Sequence, residues 1–500
     1  MTTTPRLYPY QQEALEALFA RMPIQGDSAR LLYQLPTGGG KTVVFSAMAQ
    51  QFIQTHQRSV LILTHRMELS RQTMAMLQRF GVQPRLIDRY TAEWQPSDTP
   101  DCTVAMIETL NNRLRDRKFS MQSIGLVIVD EAHHNSFQKI FHHFEHAHFI
   151  GVTATPLSSS NRFPLKDFYQ HLIAGAPITR LVEEGYLAKI KAVAPTMQLD
   201  RLKIGPQGDY TVASSDALYS SLDVLGQLYE NWAAHAFGKK TLIFNNGIGA
   251  SWAVYHHFKR KGIAVEHLDH STPNEARQRI LRWFHKTPGA VLTSVSLLTT
   301  GFDEPSVECV VLHRATQSLT LYFQMIGRGS RRWQGKTHFT MIDLGNNMAR
   351  FGHWESPMPW TDVFHNPEAY IQNLPTDEVL ESQLPYQLSA SVLARFQPQG
   401  ILDFDVKAQF QRVTQQGLKP RTLLDWSADN HFEACSTNAN DLAEALQLMV
   451  LLEPDMQYRI RQYVRCIGKA TSNYQTWLFE QYVQSLRHRL QKHYRLLQWA

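Results

Sequence analysis

Cysteine is scarce in this 500-residue chain: Cys102, Cys309, Cys435 and Cys466 are the whole set. No two of them stand at CxxC spacing, which excludes a zinc ribbon or a disulfide framework as the organising device. No window reaches the roughly 18 uninterrupted apolar residues that a membrane span needs, so no membrane partner is expected. The opening Thr2-Thr3-Thr4-Pro5, followed by the amphipathic stretch Tyr8 to Ala20, lacks the basic-then-apolar layout of a signal peptide. A reducing, cytoplasmic setting is the expectation. Glycine (26) and proline (23) are too sparse for a fibrous repeat, and 43% hydrophobic residues against 19% charged are too many for a disordered chain. A length of 500 suggests about three domains at roughly 150 residues each.

Acid is nearly missing from one place. Between Gln457 and Ala500 stand eight Lys/Arg (Arg459, Arg461, Arg465, Lys469, Arg487, Arg489, Lys492, Arg495) against the single Glu480, so this tail carries more positive charge than the net +6 of the whole chain. Tyr458, Tyr463, Tyr474, Trp477, Tyr482, Tyr494 and Trp499 are interleaved with the bases. Phosphate neutralisation with base stacking suits such a mixture. The plainer reading is a packed helix with a solvated basic side, because Leu478, Tyr482, Leu486, Leu490 and Tyr494 recur every four residues as a core-facing stripe.

What is abundant is rhythm. Apolar runs at Leu31–Leu35, Val60–Leu63, Thr103–Ile107, Leu126–Val129 and Phe149–Val152 alternate with amphipathic stretches such as Val43–Ile53 and Glu68–Phe80. That pattern predicts βα units around a buried parallel sheet. It pauses over the loop-rich Leu157–Pro164 and Asp200–Ser215, then resumes at Leu242–Phe244, Val265–Leu268, Ala290–Thr293, Cys309–Leu312 and Phe339–Ile342. Pro357, Pro359, Pro367, Pro375 and Pro385 then mark a linker or extended arm, and the chain from about Val392 reads as helical. The expected fold class is α/β: two lobes with parallel sheets at residues 1–175 and 176–350, a Pro-rich linker at 351–390 and a basic helical region at 391–500.

Residues 36–42 read PTGGGKT between a strand pattern and a helix pattern. Glycines let backbone N–H groups curl around phosphate oxygens, and the helix N-terminus adds partial positive charge. Thr37, Gly38, Gly39 and Gly40 would cradle the phosphates, Lys41 would meet the β/γ-phosphates, and Thr42 would offer its hydroxyl to Mg²⁺. Leu35 stands where the strict phosphate-loop pattern has glycine. The second part is the run Leu126–Val129 ending in Asp130-Glu131-Ala132-His133. A buried strand delivers two carboxylates there: Asp130 for Mg²⁺, and Glu131 to orient water and take its proton. The nucleotide is ATP and the metal Mg²⁺ on this reading.

With these motifs in place the chain resembles the superfamily 2 helicases, of the DEAH-box, restriction-helicase-like branch, over residues 5–350. LYPYQQEAL (7–15) resembles the adenine-reading segment, which implies Gln11 as the base contact. PTGGGKT and DEAH resemble motifs I and II, LTHRMELSRQ (63–72) motif Ia, IETL (107–110) motif Ib and TATP (153–156) motif III. LIFNN (242–246), TTGFDEP (299–305) and QMIGRGSR (324–331) resemble motifs IV, V and VI. The resemblance implies two RecA-like lobes closing on one ATP, with Arg331 as arginine finger, Arg328 on the γ-phosphate, and Gly301 and Asp303 at the ribose and phosphates. Three residues apart on a helical segment, the two arginines would share one face. It also implies that Thr64, His65, Arg66, Thr109, Asn245, Thr299 and Thr300 grip a nucleic-acid backbone. GYL (185–187) and IDLGNN (342–347) are similar to the RadD-like bacterial DNA repair helicases, whose cysteine-rich C-terminal zinc region this chain does not have.

The function expected is an ATP-driven helicase or translocase in DNA repair or phage defence. Its partner would be single-stranded or forked DNA, with RNA as the alternative substrate. A nucleic-acid-sensing ATPase switch within a larger complex is the alternative from another class. The crowded histidines from His133 to His148 have no accompanying cysteine or acid set and read as solvated positions rather than a metal site.

Overall fold

The structure is a computed structural model that describes residues 5–23, 28–88, 99–115, 123–134, 136–158, 163–199, 201–295, 302–377, 379–380, 388–468 and 472–497. Its first sheet has seven strands: β1 (Arg30–Gln34), β2 (Ser59–Thr64), β3 (Pro84–Ile87), β4 (Cys102–Met106), β5 (Ile124–Asp130), β6 (His148–Thr153) and β7 (His171–Ala174). They lie in the order β3-β4-β2-β5-β6-β1-β7, and the pairings are parallel. Helices cover both faces, so β2 and β5 are buried along their entire lengths. That double burial is why the interior strands read as unbroken apolar runs.

The second sheet repeats the plan. β8 (Lys189–Val193), β9 (Thr241–Asn245), β10 (Val265–Leu268), β11 (Val291–Val295), β12 (Cys309–His313) and β13 (His338–Asp343) lie in the order β10-β11-β9-β12-β13-β8, again parallel. The α/β fold class with two parallel-sheet lobes and a helical C-terminal region is therefore the observed one.

The proline-rich stretch after β13 is not a free arm. Three short helices (Asn347–Phe351, Trp360–His365, Pro367–Gln372) strap both lobes. Trp360 meets Phe323 of the second lobe edge-on at 5.5 Å. Four residues later the buried Phe364 joins the first lobe's apolar cluster with Phe137, Phe149 and Tyr169. Lys166 Nζ donates to the His365 carbonyl at 2.9 Å. Prolines stop long helices here, but aromatic side chains pin the pieces down.

Beyond it, the helices Thr422–Thr437, Leu442–Leu451, Glu453–Ile467 and Ser472–Leu497 build a separate apolar core. Leu478, Tyr482, Leu486, Leu490 and Tyr494 are all buried in it, as their four-residue spacing predicts. Arg459, counted above among the basic tail, is buried as well. Its guanidinium pairs with Asp455 at 2.6 Å, donates to Asn430 and the Leu402 carbonyl, and lies over the Phe404 ring. This base is spent inside the fold and is not offered to phosphate. The helical region leans on the second lobe through Arg201 to Gln457 (2.6 Å) and Ser391 to Glu230 (3.0 Å). Among the described residues no helix is long and apolar enough to cross a membrane.

Candidate nucleotide site and nucleic-acid cleft

Three loops leave the first sheet side by side at the carboxyl ends of adjacent strands, where open α/β sheets place their ligands. PTGGGKT follows β1, Asp130-Glu131 ends β5, and TATP follows β6, which lies between them. Leu35 N–H donates to the Thr153 carbonyl (3.0 Å) and Gln34 Nε2 to the Ala154 carbonyl (3.0 Å), which ties the first loop to the third.

The phosphate loop takes the backbone its glycines permit. Gly38 (φ +90°) and Gly40 (φ +86°) are left-handed. The helix Lys41–His56 starts at once; the Gly40 carbonyl takes the Val43 and Val44 N–H groups (2.9 and 3.1 Å), which leaves those of Lys41 and Thr42 at the helix start to face a ligand. Gly39 N–H is taken by the Pro36 carbonyl at 3.0 Å. Lys41 Nζ rests against the Leu35 carbonyl at 3.4 Å and is near enough to oppose the rise in the Asp130 pKa.

Asp130 is buried. Burial first, and the neighbouring Glu131 charge second, push its carboxyl well above the usual carboxylate range. Glu131 holds a left-handed backbone (φ +52°), which a residue with a Cβ adopts at a cost. Its Oε2 is buried and accepts no hydrogen bond. A strained acid with an empty oxygen, beside a second acid short of positive charge, suits a divalent cation and a triphosphate: the residues present fit MgATP.

His133 joins three motifs. Its Nδ1 meets Thr153 Oγ1 at 3.1 Å, and its Nε2 lies 3.4 Å from Gln324 Nε2 of the second lobe. Burial holds its pKa well below the usual histidine value, so the ring is neutral. This contact between lobes was not anticipated from the sequence, although DEAH and QMIGRGSR supply both partners.

The second lobe closes over the loop. A Cβ on Gly327 would fall 2.5 Å from the Thr37 Cβ, and one on Gly38 would fall 3.1 Å from Ser330 Oγ and 3.6 Å from Arg331 Cγ. Ser330 Oγ donates to the Gly327 carbonyl at 3.1 Å and lies 3.4 Å from the Thr37 carbonyl across the seam. Lys41 and Arg331 thus approach one seam. The two arginines do not share a helix face, however. The helix Leu319–Ile326 ends at Gly327, and Arg331 lies in an extended bridge to Leu187. Glycines at 327 and 329 break the helical register, yet both guanidiniums converge on the Phe302 carbonyl, Arg328 at 2.6 Å and Arg331 at 3.2 Å. Arg331 also pairs with Asp303. Burial, and then the mutual repulsion of the two arginines, disfavours the charged form of Arg328. Glu131 and Asp303 oppose that shift, and an incoming phosphate would do the same.

Other sequence-derived positions fall differently. Gln11 is buried with both ends of its amide engaged: Oε1 accepts from Tyr8 N–H (3.0 Å), and Nε2 faces the Gly39 carbonyl and Tyr10 hydroxyl (3.3 Å each). In this arrangement it braces the loop. Thr64 and Asn245 are not surface grips. Thr64 is buried and bonded to Ser70 Oγ at 2.7 Å. Asn245 is buried between Thr293 (2.8 Å) and His313 (2.8 Å). Each ends a strand and points into the lobe. Thr109 is half-buried in the helix Ile107–Arg115. His65 bonds Ser136 at 3.1 Å and is held down to about 4 by burial and by His134. Thr299, Thr300 and Gly301 lie outside the described residues. Arg66 does face open space, in a cleft of about 770 Å³ between the lobes. Arg71 lines it from the first lobe, and Arg277, Arg282 and Lys286 line it from the helix Asn274–Lys286. Those last three were missed; their signal is the spacing of bases along one helix in ARQRILRWFHK.

Comparison with known proteins places this geometry. Residues 4–158 match the family described as type III restriction enzyme, res subunit. Residues 220–332 match the helicase conserved C-terminal domain. The first match falls in the first lobe and the second in the second lobe, so each lobe is similar to one of these families. IRC3 of Saccharomyces cerevisiae, named as an ATP-dependent helicase, is 28% identical over 68% of this chain and 52% of its own length. A 51.5 kDa protein of a Lactococcus phage is 28% identical over 67% of this chain and 69% of its own. The chain therefore spans about half the length of the first of these relatives. The fold also resembles a fragment described as the HsdR subunit of a type I restriction enzyme from Vibrio vulnificus YJ016. That match has a TM-score of 0.53, 22% identity, and covers 71% of this chain and 68% of that one.

Proposed function

We propose that the protein is an ATP-driven helicase or translocase that moves along nucleic acid, with single-stranded or forked DNA as its substrate and a role in DNA repair or phage defence. The observation that carries the reading is the seam: motif VI rests on the phosphate loop through Gly327–Thr37 and Ser330–Thr37, with the two carboxylates behind. In the assigned roles, Lys41 and the loop N–H groups hold the triphosphate, while Thr42 and Asp130 would hold Mg²⁺. The cation would neutralise phosphate charge. Glu131 orients water for attack on the γ-phosphorus and accepts its proton. Arg331 leaves Asp303 for the transferring phosphoryl group, and Arg328 supports it. Because the arginines belong to the other lobe, turnover depends on closure, and loss of the γ-phosphate lets the lobes part.

The cleft between the lobes, where five bases outnumber the acids Glu68, Asp303 and Glu304, supports a backbone-reading, sequence-independent grip through Arg66, Arg71, Arg277, Arg282 and Lys286. Assignment to the RadD-like branch rests on GYL and IDLGNN. Within the second of these, Asp343 accepts from Gly345 and Met348 N–H groups and from Asn347, which makes the motif a loop clamp. The divisions 1–175, 176–350, 351–390 and 391–500 belong to the same proposal. ATP turnover measured with single-stranded, duplex and forked DNA and with RNA tests it. Stimulation by single-stranded or forked DNA is expected. Stimulation by RNA alone overturns the DNA assignment, and turnover without displacement of a forked strand reduces the protein to a translocase or switch.

A further inference from the structure

His65 has no task in the chemistry above, yet it stands between the two sites. β2 and β5 are adjacent and parallel with Leu63 opposite Val129, so the two chains leave the sheet with His65 level with Glu131. The next residue, Arg66, lines the cleft. The His65 ring turns inward instead. Its Nδ1 meets Ser136 Oγ at 3.1 Å, and it lies edge-on to His134 with ring centres 4.8 Å apart. His134 N–H donates to the Glu131 carbonyl at 3.1 Å, closing the turn that holds Glu131 at φ +52°. Burial, and then His134, keep the His65 ring neutral, while the charge and the carbonyl of Glu131 oppose them. With the Ser136 hydroxyl donating to Nδ1, the single ring hydrogen sits on Nε2. That nitrogen is buried and has no hydrogen-bond partner. An unused donor is costly in such a place, and this one lies beside an acid on a strained backbone.

We propose that His65 is a positioning residue for Glu131: a strand phosphate held by Arg66 shifts the adjoining backbone, and the His65 Nε2–H then bonds Glu131 and settles its carboxylate for the attacking water. His65 touches neither the strand nor the nucleotide in this role. The path is a chain of side chains in contact, Arg66 to His65 to the His134–Glu131 turn, with no long-range rearrangement needed. Without a strand the donor stays unused and Glu131 is less well aimed, so hydrolysis waits for the strand.

This inference rests on the proposed strand-driven ATPase, and the test separates the two. ATP turnover of the full chain and its variants is measured with and without a saturating single strand, DNA first and RNA where DNA fails to stimulate, together with strand affinity. His65→Ala should lower the ratio of stimulated to basal kcat by about 5- to 150-fold, the usual size of coupling between two sites. KM for ATP and strand affinity should stay within about twofold of the parent chain, whereas Arg66→Ala weakens strand affinity. Two further variants divide the ring. The amide of His65→Gln reaches as far as Nε2 and should restore most of the ratio. The amide of His65→Asn reaches only Nδ1, keeps the Ser136 bond and should not. Far-UV circular dichroism checks that each variant is folded. His65→Asn matching or exceeding His65→Gln, or an unchanged ratio in His65→Ala, overturns the inference. A strand affinity that falls in His65→Ala as far as in Arg66→Ala also overturns it and returns His65 to the grip. A parent chain without strand-stimulated turnover overturns the underlying reading and the inference with it, whereas a stimulated parent chain indifferent to His65 overturns the inference alone.

Discussion

The seam between the lobes and the helical C-terminal region both bury charge, and they treat it in opposite ways. In the helical region His431 is fully enclosed, yet both ring nitrogens are bonded, Nδ1 to Tyr482 (2.7 Å) and Nε2 to Asp455 (2.8 Å). Tyr482 meets Ser427 at 2.8 Å, and Arg459 closes the circuit on Asp455. At the seam Glu131 Oε2 and His65 Nε2 are buried with no hydrogen bond, Asp130 is only partly compensated by Lys41, and Glu131 has a strained backbone. A complete network is architecture, whereas an incomplete one is stability withheld for a ligand.

The sharpest break of that contrast is at the seam. Lys41→Ala should abolish ATP turnover while circular dichroism and the melting profile stay as in the parent chain. Glu131→Gln should keep ATP binding and lower kcat by about 10²–10⁴-fold, the usual reach of general-base catalysis. Neither should destabilise the fold by more than about 1 kcal/mol, because the free oxygen accepts no hydrogen bond and its nearest partner, His133 Nδ1, stands 3.5 Å away. A normal kcat in Glu131→Gln moves the water-orienting role to another group.

The same excision in the helical region should leave chemistry alone and damage the fold. Arg459→Ala strips the compensation from buried Asp455 and costs about 3–5 kcal/mol. Hydrogen exchange across residues 422–467 should accelerate in proportion, with the lobes unaffected. Equal loosening in both regions would show that they unfold as one unit.

How much of this was legible in the chain follows the same division. The interior strands announce themselves as apolar runs because two layers of helix enclose them. Three of the four edge strands, β3, β7 and β8, do not. HLIA and KIKAV are half exposed, and PRLI begins with proline, so no unbroken apolar run marks them. The phosphate loop and the acid pair were readable because their chemistry is local: glycines and a lysine in sequence, and two acids ending a strand. That Gln11, Thr64 and Asn245 are buried was not readable, because their partners range from Tyr8 and Ser70 nearby to Gly39 and His313 far along the chain, and tertiary neighbours leave no mark on a single sequence. The strap was read as a linker from its prolines, although Trp354, Trp360 and Phe364 were the residues to weigh.

Acid should separate the regions more gently. Burial first, and then Arg459, hold the His431 pKa down to about 4, while an exposed histidine titrates near 6.5. As pH falls from 6.5 towards 4, the unfolded chain takes a proton that the folded ring refuses, so stability is lost on acidification and is flat above 6.5. Asp455, its carboxyl held low by Arg459 and His431 against the effect of burial, adds to the loss at still lower pH. The full loss is about 3 kcal/mol. Exchange protection of residues 422–467 at pH 4.5 should fall below its pH 7 value, and His431→Gln should remove most of that difference.

The smallest effect tests whether the bases in the cleft differ in kind from the base in the bundle. Arg282 and Lys286 are exposed on the helix Asn274–Lys286, with no ion pair among the described residues, whereas Arg277 already faces Glu68 at 3.7 Å. A phosphate contact contributes through counterion release, so its removal lowers the slope of log affinity against log salt by about 0.7 on a single strand, equally for every sequence. Arg282→Ala should show that loss with basal ATP turnover unchanged. Arg489→Ala, on the helical region and already paired with Asp429, should leave the slope where it was. A slope that responds to Arg489 and not to Arg282 would move the strand path from the cleft to the basic tail. In that case the charge-rich C-terminus, and not the gap between the lobes, would be the surface that holds nucleic acid.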